Sequence, residues 1–212
     1  MEERIWHQSY DEGVPTAVPF EESTVIDYFE ESVRKHPDAQ AVVFMNCKLS
    51  YRQLKDQVDR LATALAAMGV EKDTKVAIHL PNLPQTVISF FAVLSLGAQA
   101  VMTNPLYMPP EIEHQWNDAG CEVAIIADYL FDQKVQALKG KLPVREYIIA
   151  SIPEYLGFPL NFLAPIKLKK ADPPLCAKVA PGAGITFFKD LVRKTPPNPP
   201  KREVHMDEAA AI

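Results

Sequence analysis

A chain of 212 residues with 48% hydrophobic content has room for one substantial domain, or for one and a half small ones. Its formal net charge of -5 and pI near 5.6 give no general attraction to a phosphate backbone, so a nucleic-acid partner is not expected. The three cysteines, Cys47, Cys121 and Cys176, are odd in number and form no C-x-x-C pair, which argues against a disulfide framework or a zinc site and fits a reducing, cytoplasmic setting.

The segment Met1 to His7 shows no basic n-region leading into an apolar run. No apolar stretch reaches the roughly 18 residues a spanning helix needs. A soluble protein, or one peripheral to a membrane, is expected. Thr24 with Asp27 has the form of a helix start, and Val25, Ile26, Phe29 and Val33 then recur on one face, predicting a helix to about Lys35. Ala41 to Met45 is a short apolar run and is expected as a strand.

Ser50-Tyr51-Arg52-Gln53 is a capping box, and Leu54, Val58, Leu61, Leu65 and Met68 follow at helical spacing until Gly69. Lys75 to Leu80 predicts a strand closed by Pro81. Asn82, with Gln85 three residues on and Pro84 between, predicts an N-cap for a helix that is apolar on nearly every side through Leu96. Gln99 to Met102 reads as a strand broken by Asn104-Pro105, Pro109 to Ala119 as a helix stopped by Gly120, and Val123 to Ala127 as a strand. Leu130 to Lys139 is expected as a helix and Arg145 to Ala150 as a strand. Strands separated by helices of this length call for right-handed crossovers. The fold class expected is α/β, with a mostly parallel sheet flanked by helices on both faces.

Ten prolines lie between Pro153 and Pro200, so that stretch is expected to be mostly irregular, with one short apolar segment at Ile185 to Val192. The resulting layout is a leader at 1–22, an α/β subdomain at 23–152, a Pro-rich insert at 153–200 and the start of a further strand at 201–212.

Several of these segments resemble the N-terminal part of the adenylate-forming superfamily: acyl-CoA synthetases, firefly-type luciferases and the adenylation domains of peptide synthetases. They are Leu49 to Leu54, Val76 to Asn82, Phe90 to Val93 with Gly97-Ala98, and Asn104 to Tyr107 followed by Glu111 to His114. Each piece alone is unspecific, and their order and spacing carry the likeness. The leader Tyr10 to Pro15 and the long insert look like the long-chain fatty acid-CoA ligase branch. One departure is Lys72-Asp73, where the superfamily usually has Gly-Asp.

The resemblance implies a two-step reaction using ATP, magnesium and CoA: a fatty acid becomes an acyl-adenylate, and the CoA thiol then displaces AMP. It also implies that the motifs carrying this chemistry follow the region present here. Those motifs are a Ser/Thr/Gly-rich loop ending in Lys, an aromatic-Thr-Glu segment, a ribose-binding Asp and a catalytic Lys. Ala209 to Ile212 looks like the strand leading into that loop, so the chain is expected to be an N-terminal fragment, inactive alone and binding no cofactor. A ligase for an aromatic or medium-chain acid, and a non-catalytic interaction module, are the alternatives.

No catalytic, cofactor-binding or metal-binding residue is therefore assigned. Gly182-Ala183-Gly184 is the nearest approach to a phosphate cradle, but it follows prolines and lacks a following Lys-Ser/Thr. Asn82 and Asn104 follow strands at the edge where open α/β folds bind ligands, yet a cap and a turn account for them more simply. His79 is expected as a packed, hydrogen-bonded core residue, His114 on a solvated helix face, and Tyr51 and Trp116 as packing residues rather than walls of an acyl channel. The run Leu156 to Lys170 pairs apolar residues with a basic end, and its prolines are expected to forbid a continuous helix. It either packs on the domain as a loop, the simpler case, or lies on a membrane surface. Oligomeric state is open, a homodimer included.

Overall fold

The computed structural model describes residues 4–17 and 22–212. The expected 1–22 leader thus lies partly outside the described residues, and within it Ile5–Ser9 forms a 3-10 turn. Helix α1 is Val25–Lys35. The Thr24 hydroxyl accepts from the Asp27 amide at 3.2 Å while the Asp27 carboxylate accepts from the Thr24 amide at 2.7 Å, satisfying two of the amides a helix start leaves bare. The same reciprocal pair, Ser50 with Gln53, opens α2 at Tyr51–Ala67. Leu54, Val58, Leu61 and Leu65 form its buried face.

The main sheet consists of β3 (Lys75–His79), β4 (Gln99–Met102), β5 (Val123–Ala127), β6 (Glu146–Ala150) and β7 (Ile185–Phe187), in the order β4-β3-β5-β6-β7. Every neighbouring pair is parallel. Helix α3 (Pro84–Leu94) links β3 to β4 and α4 (Pro109–Ala119) links β4 to β5. β5 is buried at all five positions, as expected of a strand covered on both faces. On the far edge, the Ala100 amide donates to the Ala210 carbonyl at 3.0 Å and the Ile212 amide to the Ala100 carbonyl at 3.0 Å. Ala209 to Ile212 therefore begins to add in parallel beside β4, through the bridge Ala100 to Ala211.

The strand expected at Ala41 to Met45 forms, displaced by one residue, and three other local expectations need correction. The Ala41 to Met45 strand is β1 at Gln40–Phe44, and it pairs antiparallel with β2 (Cys47–Ser50) in a separate two-stranded sheet. Its tight turn uses Met45 at φ 50, so no glycine marks it in the sequence. Leu130 to Lys139 is not one uniform helix: α5 starts earlier, at Asp128–Leu130, and runs on as a π turn at Phe131–Val135 and a 3-10 turn at Gln136–Leu138.

Asn82 is not the cap of α3. That position is Leu83, whose amide donates to the Thr86 hydroxyl at 3.4 Å, while the same hydroxyl donates to the Pro81 carbonyl at 2.6 Å. Thr86 thereby ties the strand end to the helix start and leaves Asn82 exposed.

The insert at 153–200, expected as mostly irregular, carries α6 (Leu160–Lys169), β7 and α7 (Phe188–Lys194). Ile185 to Lys194 contains no proline and keeps every amide donor, which lets it supply an edge strand and a helix whose Phe188 is fully buried. Helix α6 continues through Pro165. One proline removes a single donor, the one that would reach Asn161, and a ten-residue helix survives that loss.

Candidate functional site

The chain leaves β3 in one direction, to β4, and then crosses back over β3 to reach β5. Right-handed crossovers place the connecting helices of these two steps on opposite faces, so a crevice opens at the carboxyl end of β3, where the connections part. Two polar clusters lie along this edge.

The first surrounds His79, the last residue of β3. Its ring is fully buried and meets Trp116 of α4 edge to face, with centroids 6.0 Å apart. Among the described residues neither ring nitrogen has a hydrogen-bond partner of good geometry. This corrects half of the expectation: His79 is packed but not hydrogen-bonded. Burial, with the Lys134 charge nearby, lowers its pKa to about 4, and the facing Pro105 and Asn104 carbonyls offset part of that effect. A neutral imidazole in a dry core is not placed to exchange protons with a substrate. Trp116 donates from Nε1 to the Thr103 hydroxyl at 2.8 Å, and Lys134 donates to the Pro105 and Tyr107 carbonyls at 2.8 Å each. These bonds pin the loop that leaves β4.

The second cluster was not expected from the sequence. Asp128 directly follows β5 and Ser151 follows β6, so both project from the same edge. The Asp128 carboxylate accepts from the Ser151 hydroxyl at 2.8 Å, the Tyr129 amide at 2.7 Å and the Cys176 thiol at 3.4 Å. Gln85, fully buried on α3, donates to the Ser151 carbonyl at 2.9 Å and to the Glu154 carboxylate at 3.1 Å. A cleft of about 270 Å³ opens onto Asp128, Ser151, Glu154, Cys176, Lys169 and Lys178.

Burial raises the Asp128 pKa against its hydrogen bonds, and it pushes Glu154 up to about 7. Burial and the adjacent Asp128 also raise the Cys176 thiol, which keeps it protonated and unreactive as a nucleophile. Asp128, Ser151, Cys176, Glu154 and the Gln85 amide nitrogen bond to one another. They join α3, the ends of β5 and β6, and the insert into one unit.

The residues weighed in the sequence are dispersed. Asn104 accepts from the Leu106 amide at 2.9 Å and closes a local turn. His114 is exposed on α4, Tyr51 packs against the core, and Trp116 is fully buried. Gly182 and Ala183 turn their carbonyls, not their amides, to partners: the Ile185 amide at 3.1 Å and the Lys139 ammonium at 2.9 Å. Asp128 and Ser151 carried the same signal as Asn82 and Asn104, a polar residue directly after an apolar strand.

The donor set does not fit ATP with magnesium. A triphosphate needs converging amides and cations, and a divalent ion needs free carboxylate oxygens. Among the described residues, no group of three or more His, Cys, Asp or Glu side chains is arranged to hold a metal ion. Both Asp128 oxygens and the Oε2 of Glu154 are already engaged by protein donors.

Comparison with known proteins gives this architecture its kin. Residues 29–212 match the family model described as AMP-binding enzyme. The chain is 35% identical over 168 residues to a long-chain-fatty-acid-CoA ligase of Bacillus subtilis, a match covering 79% of this chain and 30% of that protein. Among solved structures, a long-chain-fatty-acid-CoA ligase of Archaeoglobus fulgidus superposes with a TM-score of 0.71 at 16% identity, covering 96% of this chain and 36% of that one. An anthranilate CoA ligase in complex with anthranoyl-AMP also reaches 0.71, at 20% identity over 90% of this chain and 32% of its own. At such identities the structural likeness speaks for the fold alone. The chain spans about a third of the length of the relatives it matches. With a family model matched over most of its residues and the same parallel α/β sheet, the chain belongs to the AMP-binding enzyme family.

Proposed function

We propose that the chain is the N-terminal part of an AMP-forming acid-thiol ligase that activates a long-chain fatty acid with ATP and joins it to CoA. The observation that carries this is the 35% identity to the Bacillus subtilis long-chain-fatty-acid-CoA ligase, which runs over 79% of the chain. Long-chain-fatty-acid-CoA ligases of Escherichia coli are 31% identical to the chain.

Within that enzyme these residues form a scaffold. The carboxyl edge of the sheet supplies one wall of the crevice, held by the Thr86, Lys134 and Asp128 hydrogen bonds. The groups that hold ATP, magnesium and CoA belong to other segments of the protein, and no residue of this chain is catalytic. The setting is cytoplasmic, the reducing environment that the free thiols of Cys47, Cys121 and Cys176 suit.

The test is fatty-acid-dependent exchange of labelled pyrophosphate into ATP, run on the 212-residue chain and on a polypeptide that continues past Ile212 with its own coding sequence. Exchange is expected from the longer polypeptide with long-chain acids and not from the shorter one. Exchange by the short chain would place the chemistry within these residues. Silence of the long polypeptide with every fatty acid would remove the ligase assignment, and exchange restricted to aromatic acids would move the substrate class.

A further inference from the structure

Helix α6 stands apart from the domain that carries it. None of its apolar side chains belongs to the core or packs against it among the described residues. Its main neighbour is the turn Ile152–Tyr155 just before it. Ala164, Pro165 and Leu168 are its half-buried side. The opposite side presents Phe162, 78% exposed, Leu163, 57% exposed, and Ile166, 61% exposed, and Phe158 ahead of the helix is 84% exposed.

Residues at i, i+1 and i+4 share one helical stripe, and the next positions along it are Lys169 and Lys170. Between Leu156 and Lys170 there are three lysines and no acidic residue, in a chain whose net charge is -5. The result is a convex apolar ridge with a basic end on an otherwise acidic protein.

We propose that this ridge docks on an anionic lipid surface. Phe158, Phe162, Leu163 and Ile166 enter the boundary between headgroups and acyl chains, while Lys167, Lys169 and Lys170 reach up to the phosphates and carboxylates of the headgroups. Charge complementarity selects this occupant. A second copy of the chain would bring net negative charge to its own ridge but no apolar slab, whereas a bilayer offers an apolar layer edged by anions. The ten-residue helix with Pro165 inside is too short to span the membrane and lies in its surface. The proposal does not depend on the ligase assignment.

The experiment is co-sedimentation of the 212-residue chain with phosphatidylcholine vesicles and with vesicles that also carry phosphatidylserine. Binding is expected to the second, and to fall as salt screens the lysines. The Phe162→Ser/Leu163→Ser pair should weaken it about tenfold or more, through lost apolar area. The Lys169→Glu/Lys170→Glu pair should abolish the preference for anionic lipid. Because all four side chains are exposed, circular dichroism and the urea midpoint should stay near wild type. In a separate Phe162→Trp variant, emission should shift to the blue on adding anionic vesicles.

Equal binding to both vesicle types would overturn the proposal, as would binding unaffected by the serine pair. So would self-association that the serine pair abolishes, since a second copy would then be the occupant. Loss of binding in a polypeptide continuing past Ile212 would do the same, because later residues would then cover the ridge.

Discussion

Gly184 and Gly120 form a natural experiment in backbone sterics. Both sit in the left-handed region, at φ +68 and +69. A methyl group at Gly120 would meet nothing within 4 Å, whereas at Gly184 it would lie 2.7 Å from the Arg145 carbonyl oxygen, closer than real Cβ contacts come. Alanine at Gly120 therefore costs only the left-handed penalty, about 1 to 2 kcal/mol. At Gly184 the same penalty applies and the strand must also move away from β6. The first bond to suffer is that from the Tyr147 amide to the Gly184 carbonyl, now 2.9 Å, worth about 1 kcal/mol net. The half-buried Ile185 and Phe187 lose contact with it. A total of about 3 kcal/mol is expected for Gly184→Ala, so the two variants should differ by at least about 1 kcal/mol. Urea unfolding with unchanged slope measures the difference. Hydrogen exchange at the Tyr147 amide reads the strand locally, and only Gly184→Ala should speed it. Equal destabilisation by both variants, with Tyr147 still protected in each, would refute the claim that β7 is seated by the close approach of glycine to Arg145.

The half-buried Glu154 and the buried His79 predict pH effects of opposite sign. The folded pKa of Glu154 is raised from 4.5 to about 7, so its contribution is fully present below 4.5 and lost as pH rises through 7. Glu154→Gln should flatten that fall in the urea midpoint, and an unchanged profile would show that the carboxyl is not desolvated as described. His79 has its folded pKa lowered from 6.5 to about 4, so its contribution is present above 6.5 and lost as pH falls through 4. His79→Phe keeps the edge-to-face contact with Trp116 and removes two unpartnered nitrogens. It should hold its midpoint better than wild type on acidification, and equal acid sensitivity would count against a neutral, dry imidazole.

Much of the fold was legible because its signals are local. The Thr24/Asp27 and Ser50/Gln53 boxes join residues three apart, and both helices start where those boxes place them. Gly120 in the left-handed region ends α4, and the apolar runs of β3, β5 and β6 lie within a residue or so of their expected bounds. Where the same local logic failed, a competing hydrogen-bond partner had intervened. Asn82 had the right neighbours for a cap, but Thr86 reached back to the Pro81 carbonyl and moved the helix start by one residue. Gln85, expected in the cap, is instead drawn into the core by Ser151 and Glu154, 66 and 69 positions away.

By itself the sequence determined most of the helices and strands between Thr24 and Ala150, and that the strands of the main sheet run parallel, because capping bonds, glycine φ values and the length of each crossover depend only on residues close along the chain. Only the tertiary structure decided the order β4-β3-β5-β6-β7, the recruitment of β7 from the proline-rich insert, and the meeting of Asp128, Ser151, Glu154 and Cys176 at one edge. Those outcomes rest on hydrogen bonds and burial between segments far apart in sequence. Any of several strand orders would satisfy the same local pattern, and the choice among them is made by which faces pack and which buried polar groups find partners.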